Sequence, residues 1–379
     1  MTRGSDTTGS RGATVTRAAP VTLHDIAREA GTSVSTVSRV LNGKPGAGEA
    51  TRTKVFNVVE RLQYRVNYAA ANLKKRTANL VGVFEQHGLP VSYYARHIEE
   101  GYDACAEQLS TFNVQFAKRH VGRDEAGIYE LLSDLYDQGC AELDGLLLVP
   151  FRSNRIIALL NRFVDAGVAV VFADKDLEEV SRVTWVGPDN EIAGQMAAEI
   201  MFRFLRREGT VIVSNPDHRS VDPYARPGHL GAGSFARQMG LYTSRIRVQL
   251  TQEPRQDDRL YAEVLHRLTA DPDIVGIFAA SARDTAAIAP ALRDSGREDE
   301  VQMIGSEVFP ESLAMLRAGV IDALIYKNPF RVGFKALDHL FGHVVRGLLP
   351  AAEYRVMPRV VLASTFREDR RGYEALLEV

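Results

Sequence analysis

The sequence predicts a multidomain chain: a small all-α helix-turn-helix head followed by an α/β body of two lobes, each a doubly wound parallel sheet. Three observations lead there. Two short amphipathic runs meet at a glycine in "HDIAREAGTSVSTVSRVLNG" (24–43), and a third periodic run follows closely. From Asn79 onward, apolar strand-like runs alternate with amphipathic helical ones, the pattern of βα units whose parallel sheets are covered on both faces. Charge divides at the same place: residues 1–76 hold 13 Lys and Arg against 5 Asp and Glu, a net of +8. The remainder holds 33 against 43, a net of −10. A basic head on an acidic body points to a polyanion-binding module joined to something else.

Residues 1–18 are rich in Gly, Thr, Ser and Arg and read as a disordered tail. The head spans 19–64. Thr22 can cap a first helix whose Leu23, Ile26, Ala27 and Ala30 share a face, and Gly31 ends it in the left-handed conformation helices favour at their C-terminal end. Ser33 or Thr32 can cap the second helix, whose apolar members are Val37, Val40 and Leu41. Ser35 and Arg39, four apart, share the opposite side with Thr36 and Ser38. The run Val55-Phe56-Val58-Val59-Leu62 supplies the third wall of a core. A helix, a short glycine turn, then a helix with small hydroxyl side chains near its start is the helix-turn-helix arrangement. Short hydroxyls let the backbone approach phosphates, and one long Arg can reach guanine edges bidentately.

These residues resemble a known family. "VTLHDIAREAGTSVSTVSRVLNG" and, without a gap, "ATRTKVFNVVERLQYRVNYAAANL" are similar to the DNA-binding headpiece of the lactose/galactose-repressor (LacI) family of transcription regulators. The resemblance implies that Val34 and Ser35 begin the recognition helix and that Arg39 is its main base-reading side chain. It further implies phosphate-contacting or turn-setting roles for Thr22, Ser33, Thr36, Ser38 and Asn42. Residues 65–77, with "NYAAANLKKR", resemble the family's hinge helix, which folds when two copies meet on an operator. There Leu73 matches the leucine wedged into the minor groove, with Asn67 and Ala70 at neighbouring contact positions. The chain departs from the family pattern at Gly48, Val66 and Ala71, where Ser, Pro and Arg are common.

The body, 78–368, carries about ten strand-like runs, more than one sheet comfortably holds, hence two lobes; 369–379 is a short tail. It resembles the periplasmic-binding-protein-like effector domain of the same family. That resemblance implies two lobes joined by crossovers near 190–202, 325–330 and 350–357, with a small molecule between them. Ligands of open α/β sheets sit beyond the carboxyl ends of strands. That rule selects Tyr93, Tyr94, Phe151, Asp174, Asp189 and Asn190 in the first lobe. In the second it selects Arg226, His229, Arg283, Asp284, Glu307 and Lys327. By resemblance, Asp189, Arg283, Glu307 and Lys327 coincide with effector-contacting positions. Carboxylates, cations and aromatic rings together suit a sugar or other polyol. Arg283 and Lys327 stand where the family often has Asn or Gln, which points to an anionic or phosphorylated ligand.

Other classes find no support. The two cysteines, Cys105 and Cys140, lie far apart without His or Cys companions, which suits a reducing cytoplasm and argues against zinc and disulfides. No apolar run approaches the roughly 18 residues of a membrane span, and no signal-peptide core is evident. P-loop, zincin, nucleophile-elbow and dinucleotide motifs are missing, so no enzyme, no cofactor and no metal are expected. His339 and His343 have metal spacing but no third ligand nearby in sequence. The expected partners are double-stranded operator DNA, a sugar or polyol effector and a second copy of the chain in a homodimer, with no membrane. A solute-binding receptor would share the body but not the recognition helix. A ligand-independent or activating regulator remains compatible with the sequence.

Overall fold

The computed structural model describes residues 23–41, 48–62, 77–86, 93–122, 124–214, 231–251 and 257–365. Thr22, Asn42, Asn67, Ala70, Leu73, Arg226 and His229 lie outside these residues, as do both expected tails and 65–76 of the expected hinge. For Ser35, Ser38 and Arg39 the backbone alone is described. The chain divides into two compact units, 1–70 and 71–379.

The first unit holds α1 (Leu23–Ala30), α2 (Val34–Leu41) and α3 (Glu49–Arg61). Gly31 takes φ 63°, and the Thr32 N–H reaches back to the Ala27 carbonyl at 3.0 Å, the Schellman closure that positive φ permits. Ile26, Ala27, Val37, Val40, Val55 and Val58 form the core, with Ala30, Val34, Val59 and Leu62 packed against it. Phe56 is a correction to the sequence reading. It was expected within the core wall, yet it is 51% exposed. Val55, Val58, Val59 and Leu62 keep the spacing of one helical stripe, and Phe56 falls about 100° away from Val55.

The second unit contains two six-stranded sheets. Their strands are β1 (Ala78–Glu85), β2 (Val114–Val121), β3 (Gly145–Leu148), β4 (Ala169–Ala173), β5 (Thr184–Pro188) and β11 (Glu353–Val356) in lobe 1. Lobe 2 has β6 (Gly209–Val213), β7 (Ile246–Leu250), β8 (Ile274–Phe278), β9 (Gln302–Ser306), β10 (Ala323–Tyr326) and β12 (Arg359–Val361). The orders are β11-β5-β4-β3-β1-β2 and β12-β10-β9-β8-β6-β7. Pairing is parallel except for β12 against β10. Both sheets therefore reverse direction beside their first strand, β1/β3 and β6/β8, where crevices open at the carboxyl ends.

The helices are α4 (Tyr93–Gln108), α5 (Glu125–Gly139), α6 (Asn154–Asp165) and α7 (Asn190–Phe204), then α8 (Gly231–Tyr242), α9 (Asp257–Ala270), α10 (Ala282–Asp294), α11 (Pro310–Arg317) and α12 (Pro329–Arg346). The chain crosses between lobes through α7, through Lys327–Pro329 into α12, and between Val356 and Arg359. The crossover helices serve the lobe they enter. Ala193, Ala197 and Met201 of α7 pack in lobe 2 with Phe235 and Met239. Val332, Leu337, Leu340 and Phe341 of α12 pack in lobe 1 with Leu80, Ile98 and Tyr102. The α4–α12 crossing is close enough to demand glycine: a Cβ on Gly101 would lie 1.9 Å from the Phe330 carbonyl oxygen, and one on Gly333 1.8 Å from that of Ile98.

Candidate functional site

In the head, the start of α2 is built by its own hydroxyls. Ser33 Oγ accepts from the Thr36 N–H at 3.1 Å and lies 2.8 Å from Thr36 Oγ1, so Ser33 rather than Thr32 caps the helix. Val34 is half-buried against the core, which orients the helix from below. An Arg61–Glu29 ion pair ties α3 to α1. Positions 35 and 39 are one turn apart along α2, on the helix whose Val37 and Val40 face inward.

In the body, the strand ends of both lobes converge. Among the described residues, three non-glycine residues have positive φ, and all three sit just past a strand: Asp174 after β4 (64°), Glu307 after β9 (69°) and Asn328 after β10 (57°). Such backbone costs about 1–3 kcal/mol per residue and persists only where neighbours enforce it. For Asp174 the enforcers are its N–H on the Val186 carbonyl (2.8 Å) and its carbonyl accepting from Trp185 Nε1 (3.1 Å). For Glu307 they are its N–H on the Ile325 carbonyl (2.9 Å) and its carbonyl accepting from Ser312 Oγ (3.0 Å). Asn328 caps α12, its side chain accepting from the Arg331 N–H at 3.0 Å.

Side chains meet across the seam. Tyr93, opening α4 in lobe 1, stacks on Phe309 of lobe 2, with ring centroids 5.9 Å apart and planes 15° from parallel. Tyr94 donates its hydroxyl proton to Asp174 Oδ1 at 2.9 Å. Burial, then the nearby Asp174 and Glu307 carboxylates, hold that phenol well above its ordinary pKa. Glu307 is 4% exposed. Loss of hydration pushes its carboxyl up to about 8; Lys327 pulls it down and Asp174 pushes it further up. Glu307 Oε1 accepts from the Lys327 N–H at 3.4 Å, and the Lys327 ammonium donates to the Ala280 carbonyl at 2.9 Å.

The other expected residues are placed differently. Asp189 caps α7, accepting from the Ile192 N–H at 3.0 Å, while its own N–H donates to the Val356 carbonyl. Asn190 begins α7. Phe151, past β3, packs against the core of lobe 1. Arg283 lies in the first turn of α10 with its Nε buried. Asp284 is buried and accepts from Ser214 Oγ at 2.7 Å, and the same hydroxyl accepts from the Ala280 N–H at 2.8 Å. Asp284 thus braces the ends of β6 and β8. Sequence reasoning passed over Phe309 and Tyr326. Phe309, two residues past Glu307, was within reach of the strand-end rule; Tyr326 closes β10 and reads as an ordinary strand residue. His339 rests on the Tyr354 ring and His343 Nδ1 lies 2.9 Å from the Leu348 carbonyl, so the two face different neighbours. Among the described residues no helix is long and apolar enough to cross a membrane.

Comparison with known proteins agrees with this architecture. Residues 90–345 match the family model of the periplasmic binding protein domain, and residues 22–67 match that of bacterial regulatory proteins, lacI family. Catabolite control protein A of Streptococcus mutans is 49% identical over 63 residues, 17% of this chain and 19% of that protein. Its counterpart in Staphylococcus epidermidis is 48% identical over 194 residues, 50% of this chain and 53% of that protein. The chain thus spans from about a fifth to about half of these relatives. Among solved structures, GanP, a glucose-galactose binding protein from Geobacillus stearothermophilus, matches with TM-score 0.63 and 21% identity over 76% of this chain and 99% of that one. A solute-binding protein from Burkholderia graminis in complex with D-arabinose matches with TM-score 0.65 and 21% identity over 77% and 98%. With the first model covering more than half its length, the chain belongs to the periplasmic binding protein domain family and carries a lacI-family DNA-binding domain at its head.

Proposed function

We propose that this protein is a sequence-specific transcription regulator, acting as a repressor, whose affinity for operator DNA is set by a small molecule held between its two lobes. The observation that carries the reading is the union in one chain of a lacI-family head at 22–67 and a two-lobed body whose seam gathers Tyr93, Tyr94, Asp174, Glu307 and Lys327. A homodimer in the cytoplasm would place two heads on a pseudo-palindromic operator. The segment 65–77 would act as the hinge, with Leu73 entering the minor groove near Asn67 and Ala70. Head residues Thr22, Ser33, Val34, Ser35, Thr36, Ser38, Arg39 and Asn42 would make the remaining contacts.

Lobe closure around a sugar or sugar derivative would shift the hinges, coupling ligand to operator by about 1–3 kcal/mol, or roughly 5–150-fold in affinity. Phe151, Asp189, Asn190, Arg226, Arg283 and Asp284 are the candidates to complete the pocket. The sugars in the names of the solved neighbours support a polyol as the class. The test is selection of bound sequences from random DNA by the full-length protein, followed by footprinting and titration with sugars. A two-fold symmetric site whose affinity changes with one sugar is expected. Uniform binding to random DNA would sink the regulator reading.

A further inference from the structure

Each lobe delivers one carboxyl group to the seam, Asp174 from the end of β4 and Glu307 from the end of β9. The Glu307 side chain is 4% exposed, and its Oε2 is buried with no hydrogen-bond partner among the described residues. Three neighbouring donors reach atoms other than Oε2. The Tyr94 hydroxyl donates to Asp174 Oδ1, the Lys327 backbone N–H donates to Glu307 Oε1, and the Lys327 ammonium donates to the Ala280 carbonyl. A buried carboxyl oxygen left without a partner is costly in either protonation state, so it marks a place where a ligand group belongs.

Charge narrows what that group is. The charges acting on the Glu307 carboxyl are Lys327, which favours ionisation, and Asp174, which opposes it. A neutral hydroxyl would satisfy Oε2 but bring no charge to offset Asp174, which opposes ionisation of Glu307. A phosphate would add negative charge beside Asp174. A cation relieves both faults. We propose that the cleft takes a polyol bearing a protonated amine, with its ammonium lodged between Asp174 and Glu307. This rests on the reading of the cleft as the effector site, and it reverses the anionic ligand to which Arg283 and Lys327 pointed in the sequence. The burial that raises the Glu307 carboxyl to about 8 acts in the same direction, because an arriving cation allows that carboxyl to ionise.

The experiment is calorimetric titration of the full-length protein at pH 7 with D-glucosamine, D-galactosamine and D-mannosamine. Each is run beside its neutral parent sugar and the parent's 6-phosphate. One amino sugar should bind at least about tenfold more tightly than its parent and its phosphate. That gap should shrink to about twofold in both Glu307→Gln and Asp174→Asn. Both replacements keep shape, and Asn accepts the positive φ at 174. A neutral sugar or phosphate that binds as tightly as the amine overturns the inference but leaves the sugar-cleft reading standing. So does an amine preference that survives in both variants. Failure of every compound to bind overturns both.

Discussion

Tyr93 of lobe 1 lies flat against Phe309 of lobe 2, their ring centroids 5.9 Å apart and their planes 15° from parallel. This is a direct ring contact between halves that the chain otherwise joins through α7, Lys327–Pro329 and the β11–β12 connection. Stacked pairs contribute about 0.5–1.5 kcal/mol beyond burial. Tyr93→Ala should therefore shift the lobes toward the open arrangement by roughly that amount, about 2–13-fold in the closed-to-open ratio. Small-angle scattering of the free protein should register a larger radius of gyration. An unchanged scattering curve would mean that the stack does not hold the lobes together.

The α4–α12 crossing yields a stability prediction. Gly333→Ala places a methyl 1.8 Å from the Ile98 carbonyl oxygen, a contact that only helix separation can relieve. Overpacking of this kind costs about 1–3 kcal/mol. Calorimetry should show the melting transition of the body lowered by several degrees. Gly319→Ala is a different case, with open space around its Cβ and a cost that arises from its φ of 78° alone. A Gly333 variant as stable as wild type would contradict the packing described for α12.

Glu307 should make stability depend on pH in a particular direction. Its folded carboxyl titrates near 8, above the ordinary value of 4.5, because it is buried with Asp174 nearby, only partly offset by Lys327. The groups acting with it are Tyr94 from α4, Asp174 beyond β4, and Lys327 just past β10. Between pH 4.5 and 8 the folded state holds a proton that the unfolded state has released. This contribution is fully present below 4.5, declines as pH rises, and is gone above 8. Its slope is at most about 1.4 kcal/mol per pH unit. Subtracting the pH profile of Glu307→Gln from that of wild type isolates it. A difference profile that is flat across this window would refute the assignment.

For the head, Arg39→Ala should weaken operator binding by about 1–3 kcal/mol and relax preference at one base pair. Competition binding against single-base operator variants measures both. An equal loss on random DNA would assign Arg39 to phosphate contact instead. Ser33→Ala, by removing the cap accepted from the Thr36 N–H, should lower head stability by about 0.5–2 kcal/mol.

Much of this was legible in the amino-acid order, because local rules decide local structure. Gly31 at positive φ, the valines of α2 and α3, the alternation of strand and helix, and the charge division between head and body all follow from propensity and periodicity over a few residues. The strand-end rule selected Tyr93, Tyr94, Asp174, Glu307 and Lys327 because parallel sheets present their carboxyl ends together. Other features depend on contacts between residues far apart in the chain. Phe56 sits one helical step off a stripe defined by what α3 packs against. Asp284 and Asp189 share the strand-end position of Glu307, yet Ser214 and the start of α7 engage them, and only packing decides which carboxylates remain for the seam. The left-handed backbone at Asp174 and Glu307 is held by hydrogen bonds to neighbouring strands, and no property of Asp or Glu announces it. The sequence by itself determined the elements and their order. The tertiary structure decided which carboxyl groups face each other, because burial and partner supply are properties of the assembled lobes.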